Sequence, residues 1–160
     1  SSNAVEAMKR IGQIWKNTGH LVDVPTAPDP ITEINIAVNR PCDSSWADDM
    51  NLMDFAHDDN FSTCWVSSPE VEKPWWMVEL DEATPVGMVV ITEGDNSLMS
   101  EYTVEIRHDG VWKQVDRQTQ VSSIRGRVHI SRFTPVEAEA VWVCFIVRQN
   151  TLSIAEIGVY

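Results

Sequence analysis

From Ile34 onward, apolar and polar residues alternate with a period of two. Tyr102, Val104 and Ile106 point one way, and Glu101, Thr103, Glu105 and Arg107 the other. That is the signature of a strand with one buried face and one wet face. Val141 to Val147 is apolar on both faces, which suits a central strand. Asp109-Gly110, between Ile106 and Val111, is a hairpin turn signal. The pattern predicts strands over residues 34–39, 63–67, 76–80, 86–93, 101–107, 111–115, 127–133, 140–147 and 154–160. Many short strands with turns between them imply an antiparallel sandwich.

The first thirty residues follow another rule. Val5, Met8, Ile11 and Trp15 recur at helical spacing with Ile14 beside them, which predicts an amphipathic helix over about 4–17, ended by Asn17 and Gly19. Pro25, Pro28 and Pro30 then mark an extended linker. Ser2-Asn3-Ala4 has the look of an expression remnant, which implies a longer parent protein with its targeting signal elsewhere. The expected division is a remnant at 1–4, helix and linker at 5–33, and one all-β sandwich at 34–160.

Charge narrows the partners. The chain of 160 residues carries a net charge of −12, which argues against nucleic acid, whose phosphates need Lys and Arg, and against anionic membranes and glycans. No apolar run is long enough to span a bilayer. Cys42, Cys64 and Cys144 form an odd set without a CxxC pair, which argues against zinc. Cys64 and Cys144 read as core thiols, and one disulfide among the three stays open. His20, His57, His108 and His129 are dispersed, and His108 and His129 read as surface side chains. No nucleophile elbow, metalloprotease helix, P-loop or dinucleotide glycine cluster is present, so the domain is expected not to be an enzyme.

The densest chemistry lies in Ala56-His57-Asp58-Asp59-Asn60-Phe61-Ser62-Thr63-Cys64-Trp65, where four oxygen-bearing side chains crowd a short loop. Such a loop can wrap a hard cation or serve as a solvated acidic turn. Together with Ser153-Ile154-Ala155-Glu156-Ile157-Gly158-Val159-Tyr160 and with Trp75-Trp76-Met77-Val78-Glu79-Leu80, it resembles the discoidin family, the coagulation factor V and VIII type C domains. Bacterial carbohydrate-binding modules of family thirty-two share that fold. Asp59 stands where the family has Gly. The resemblance covers about residues 34–160 and implies a galactose-binding-like jelly roll of two antiparallel sheets.

It further implies a structural cation, Ca²⁺ or alternatively Na⁺. The ligands would be the Phe55 carbonyl, Asp58, Asn60, Thr63, the Ala155 carbonyl and Glu156. Family sugar sites lie in loops at one end of the sandwich, here residues 43–54, 67–74, 94–100 and 148–153. Candidate glycan contacts are Trp46, Trp75, His57, Glu70 and Asn150; the last loop, Asn150-Thr151-Leu152, has no aromatic residue. Of the seven tryptophans, Trp65, Trp76, Trp112 and Trp142 are expected in the core, and Trp46 and Trp75 in loops.

Ile124-Arg125-Gly126-Arg127-Val128-His129-Ile130-Ser131-Arg132-Phe133 and Ile91-Thr92-Glu93 are similar to the discoidin-like tail of bacterial α-L-fucosidases. The expectation is a monomeric, non-catalytic module binding a neutral glycan, with a secreted glycoside hydrolase as its catalytic partner in cis. A periplasmic, cell-surface or secreted location goes with it. The alternative is an accessory domain that braces the parent enzyme without binding sugar.

Overall fold

A computed structural model describes residues 34–47, 52–94, 99–119, 121, 128–147 and 152–160. The helix expected at 4–17, the proline linker and Asn150 lie outside the described residues. The described elements are β1 (Cys42–Ser44), a 3-10 helix (Met53–Ala56), β2 (Trp65–Val66), β3 (Trp75–Glu93), β4 (Met99–His108), β5 (Val111–Gln118), β6 (Val128–Val147) and β7 (Ser153–Val159). All pairings are antiparallel. The order is β2-β7-β3-β6-β4-β5, with β1 also on β3.

The fold is the galactose-binding-like jelly-roll sandwich that the alternation and the family resemblance imply. It closes because β3 and β6 are each long enough to serve both layers. The first part of β3, Trp75–Glu79, pairs with Ala140–Cys144 of β6 and with β1. Its last part, Met88–Thr92, pairs with Val128–Arg132 of β6 and with β7. Between them the register slips twice, at Glu79/Thr84 and at Val86/Met88. Pro85 sits at this corner, and Pro135 packs by Gly87, where an added Cβ would meet Pro135 Cγ at 3.1 Å. Proline cannot donate to a ladder, and bulges turn strands from one sheet into the next. The paired short strands expected at 76–80 and 86–93, and at 127–133 and 140–147, are therefore single strands bent at a proline.

Period-two alternation places the core between the layers. Trp76, Val78, Tyr102, Val104, Ile106, Val141, Val143 and Phe145 from one layer meet Trp65, Val89, Ile91, Ile157 and Val159 from the other, all buried. Trp65 and Tyr102 flank Phe145 at 6.2 and 6.4 Å between ring centroids. Each such side chain contributes about 1.5–3 kcal/mol by leaving water. Because Val141, Val143 and Phe145 face inward, Trp142 must face outward. It does so, packing on Trp75 at 5.0 Å and Trp112 at 5.4 Å, with the Arg107 guanidinium 5.6 Å from the Trp112 ring. Trp142 and Trp112 therefore belong to an outer aromatic cluster rather than the core.

The predicted hairpin at Asp109-Gly110 is present, with φ of 48° and 73°. The strand expected at 34–39 is instead a turn. Asn35 Oδ1 accepts from Ala37 N at 3.0 Å, and Asn39 has a φ of 56°, so local side-chain hydrogen bonding displaces the ladder. Asn35 Oδ1 also accepts from Val159 N at 2.9 Å, joining this turn to the last strand.

Candidate functional site

The loop 57–64 is ordered by its own side chains. Asp58 Oδ1 accepts from Asn60 N, and Asn60 Oδ1 from Ser62 N, each at 3.0 Å. These are two successive Asx turns. The Thr63 hydroxyl lies 2.6 Å from Asp58 Oδ2 and 2.9 Å from the Asn60 carbonyl. Asp59, where the family has Gly, holds a φ of 58°. The left-handed turn thus survives in a residue that tolerates it, because a short polar side chain can bond locally.

The loop closes over Glu156 on β7. Every residue of this strand is buried, since β2 and β3 flank it and both of its faces are covered. Asp59 N donates to Glu156 Oε1 at 3.4 Å, whereas Glu156 Oε2 is buried with no hydrogen-bond partner. Burial pushes the Glu156 carboxyl up to about 8, against the pull of the Asp59 N–H, and the negative charges of Asp58 and Asp59 add to the rise. A buried carboxylate oxygen without a partner costs on the order of 1–3 kcal/mol or more. A hard cation would supply that partner. Asp58, Asn60 and Thr63 converge on the same loop, Phe55 lies on the 3-10 helix that packs against β7, and Ala155 precedes Glu156. The donor set is all oxygen and includes two carboxylates, so it fits Ca²⁺ chemistry.

The second region is the end of the sandwich where β3 begins and finishes. Phe145 N to the Pro74 carbonyl at 2.8 Å, Ser67 N to the Leu152 carbonyl at 3.2 Å and Gly94 N to the Ser153 carbonyl at 2.8 Å gather the loop bases there. Trp46 stands at this end, 43% exposed. Its carbonyl is fixed by the Trp65 indole N–H at 2.9 Å and the Ser44 hydroxyl at 3.1 Å. Glu70 is exposed on the β2–β3 loop, where its backbone N–H donates to Ser68 Oγ at 3.2 Å. Trp75 opens β3 half-buried beneath the outer aromatic cluster, because its ring leans on Trp142.

His57 is only 1% exposed. Its ring nitrogens lie 2.9 Å from the Asp54 carbonyl and 2.6 Å from the Arg40 carbonyl, and it packs edge-on to Trp76. It therefore braces the base of the loop and cannot reach a glycan.

The model for NedA-like, galactose-binding domains of the F5/F8 type C group matches residues 55–143, more than half of the chain. The chain belongs to the F5/F8 type C family. Among curated proteins, none matches it in sequence. Chitosan-binding module 1, derived from a chitosanase/glucanase of Paenibacillus sp. IK-5, is 24% identical with a TM-score of 0.71, over 80% of this chain and 99% of that one. The family 32 carbohydrate-binding module of C. perfringens NanJ, solved with galactose, is 23% identical with a TM-score of 0.68, over 74% and 91%. The lectin domain of lectinolysin, solved with Lewis b antigen, is 26% identical with a TM-score of 0.67, over 81% and 96%.

Two features of this F5/F8 type C domain escape a reading of the sequence. His129, expected at the surface, lies 3.0 Å from Glu93, and both side chains are at most 10% exposed. Above them the Tyr102 and Ser131 hydroxyls meet at 2.9 Å. The second is a thiol, a carboxylate and an imidazole brought together from Cys42, Asp54 and His57. Neither has a spacing signature, since the register of β3 on β6 creates one and the packing of three elements the other.

Proposed function

We propose that this domain is a non-catalytic carbohydrate-binding module that takes a neutral glycan at the end of the sandwich, with Trp46 as the stacking residue. The observation that carries it is the exposed Trp46 ring on a backbone pinned by Trp65 and Ser44. A pyranose presents an apolar C–H face and a rim of hydroxyls, so it needs one aromatic surface with polar groups beside it. Glu70 on the neighbouring loop is the described polar candidate. The related modules, solved with galactose and with Lewis b antigen, support a glycan ligand. The net charge of −12 favours a neutral one.

The same reading includes a structural Ca²⁺, with Na⁺ as the alternative, held by the Phe55 and Ala155 carbonyls and by Asp58, Asn60, Thr63 and Glu156. The unpartnered Glu156 Oε2 supports it. The ion would supply charge neutralisation and fasten the loop to β7. Glu156 and Asp58 would carry the balancing charge, and the Asx turns would aim the loop oxygens. A parent glycoside hydrolase, secreted and of fucosidase type, completes the proposal. The chitosan-binding module derived from a chitosanase/glucanase is a precedent for attachment to an enzyme.

Isothermal calorimetry against galactose, fucose, N-acetylgalactosamine and their oligosaccharides tests the glycan reading. Burial of one sugar face on an indole contributes on the order of 1–3 kcal/mol, so micromolar to millimolar affinity is expected. Heat with at least one sugar, lost in Trp46→Ala, supports the proposal. No heat with any of them, from protein shown to be folded, favours the bracing role.

A further inference from the structure

We infer that Cys42, Asp54 and His57 form a second metal site, for a borderline-soft divalent transition ion such as Zn²⁺, distinct in chemistry from the all-oxygen loop. One ligand atom from each residue lies within 4.8 Å of the other two. Cys42 Sγ–H already donates to Asp54 Oδ1 at 3.3 Å. Thiolate, imidazole and carboxylate are the donors that Zn²⁺ selects. Three of them would leave a fourth position for water, and Asp54 is exposed to solvent.

The His57 ring supplies an independent observation. Both its nitrogens face carbonyl oxygens, of Asp54 at 2.9 Å and Arg40 at 2.6 Å. A neutral imidazole has one N–H. Whichever nitrogen carries it, the other is left lone pair to lone pair against an acceptor. A cation reaches that nitrogen once the carbonyl facing it moves aside or joins the ligand set, and the remaining N–H then donates to the other carbonyl. That is the usual support for a metal-bound histidine.

The scaffold holds the donors on separate anchors. Cys42 is on β1, registered opposite Val78. Asp54 is on the 3-10 helix, whose Met53 carbonyl accepts from the Trp76 indole at 3.2 Å. The His57 carbonyl accepts from Asn39 N at 3.0 Å. The Cys42 thiol, pushed up to about 12 by burial, by its hydrogen bond to Asp54 and by the negative charges of Asp54 and Asp43, keeps its proton when no metal is bound. Binding must displace that proton to solvent.

The experiment titrates chelator-stripped whole protein with Co²⁺ and then Zn²⁺, with excess Ca²⁺ present to occupy oxygen sites. Co²⁺ is expected to give the strong visible bands of a tetrahedral complex and a thiolate charge-transfer band, both removed by stoichiometric Zn²⁺. Cys42→Ser is expected to abolish the charge-transfer band. It should also weaken Zn²⁺ by more than the ~10–100-fold that loss of a supporting partner costs. Asp54→Asn, at an exposed position, should weaken Zn²⁺ without disturbing the fold, while Cys64→Ser and Cys144→Ser leave the band intact. Absence of the band in the parent protein, or its survival in Cys42→Ser, overturns the inference. So does a His57 ring that still carries two protons, by ¹⁵N NMR, in saturating Zn²⁺.

Discussion

Glu93 and Glu156 are buried carboxylates in directly adjoining stretches of paired strands, and they meet opposite circumstances. Thr92 is registered against Glu156, and Glu93 against Ile154. Glu93 has His129 at 3.0 Å. Glu156 has the backbone N–H groups of Asp59, at 3.4 Å, and Asn60 beside it, and one oxygen with no hydrogen-bond partner among the described residues. The first carboxylate is completed by its own chain, across the β3–β6 ladder. The second keeps an oxygen without a hydrogen-bond partner, and the loop beside it brings more oxygen and more negative charge rather than a base. Burial of a carboxylate therefore does not by itself set its circumstances in this fold; the presence or absence of an internal partner does.

The largest expected effect comes from giving Glu93 the condition of Glu156. His129→Ala removes the imidazole that lies 3.0 Å from a carboxylate inside the sandwich, and loss of about 3–5 kcal/mol is expected in urea unfolding. Replacing both members with apolar residues, Glu93→Met with His129→Leu, should recover most of that loss. A double variant no better than His129→Ala would mean that the pair is not the source of the cost.

The next effect comes from giving Glu156 what Glu93 already has. Ca²⁺ at a hundredfold excess over its dissociation constant should stabilise the domain by roughly 2.7 kcal/mol. Asp58→Ala should remove the response in thermal melts with and without chelator. A pH series sharpens the point. In chelator, Glu156 stays protonated in the fold up to about 8, while the unfolded chain ionises near the ordinary 4.5. The unfolded chain then binds fewer protons within that window, so stability falls as pH rises through it. Ca²⁺ should abolish the fall, and Glu156→Gln should flatten it without metal. Equal melting in Ca²⁺ and chelator at every pH would remove the cation reading.

At the exposed end the effect shifts from stability to binding. Trp46→Ala should cost about 1–3 kcal/mol of glycan affinity while stability stays within about 0.5 kcal/mol of the parent, as surface changes usually do. Loss of stability on a larger scale would mean that the indole braces its loop instead.

The loop beside Glu156 was easier to read in the sequence than the Glu93–His129 pair. Asp58, Asn60 and Thr63 are contiguous, and Ala155-Glu156 sits in a short end motif, so local composition announces them. The loop's left-handed residue was visible as the position where Asp59 replaces Gly, and the hairpin at Asp109-Gly110 was equally local. Glu93 and His129 are 36 positions apart, joined only by a register that alternation cannot specify. Trp142 looked like core because strand β6 is apolar on both faces, and only the inward orientation of Val141 and Val143 decides it. Pro85 and Pro135 broke the periodicity of β3 and β6 and made two bent strands read as four. The turn at 36–39 was missed because Ile34, Ile36 and Val38 alternate as a strand does, while the Asn35 side chain takes the backbone donor first.

The smallest effect separates geometry from charge in the loop. Asp59 is exposed, left-handed at a φ of 58°, and one of the charges that raise Glu156. Asp59→Gly relieves the backbone and removes that charge, but it gives the unfolded chain more freedom, a term of roughly 0.4–1 kcal/mol. The two nearly offset, so a net gain below about 1 kcal/mol is expected in chelator. The gain should be smaller in Ca²⁺, which already neutralises the repulsion. Asp59→Ala removes the same charge while keeping a Cβ in the left-handed region, at about 1–2 kcal/mol relative to Gly. Thermal melts of both variants, with and without Ca²⁺, therefore read the turn and the charge separately. If Ala and Gly melt together, the loop does not hold its left-handed residue in solution, and the Asx turns of Asp58 and Asn60 go with it.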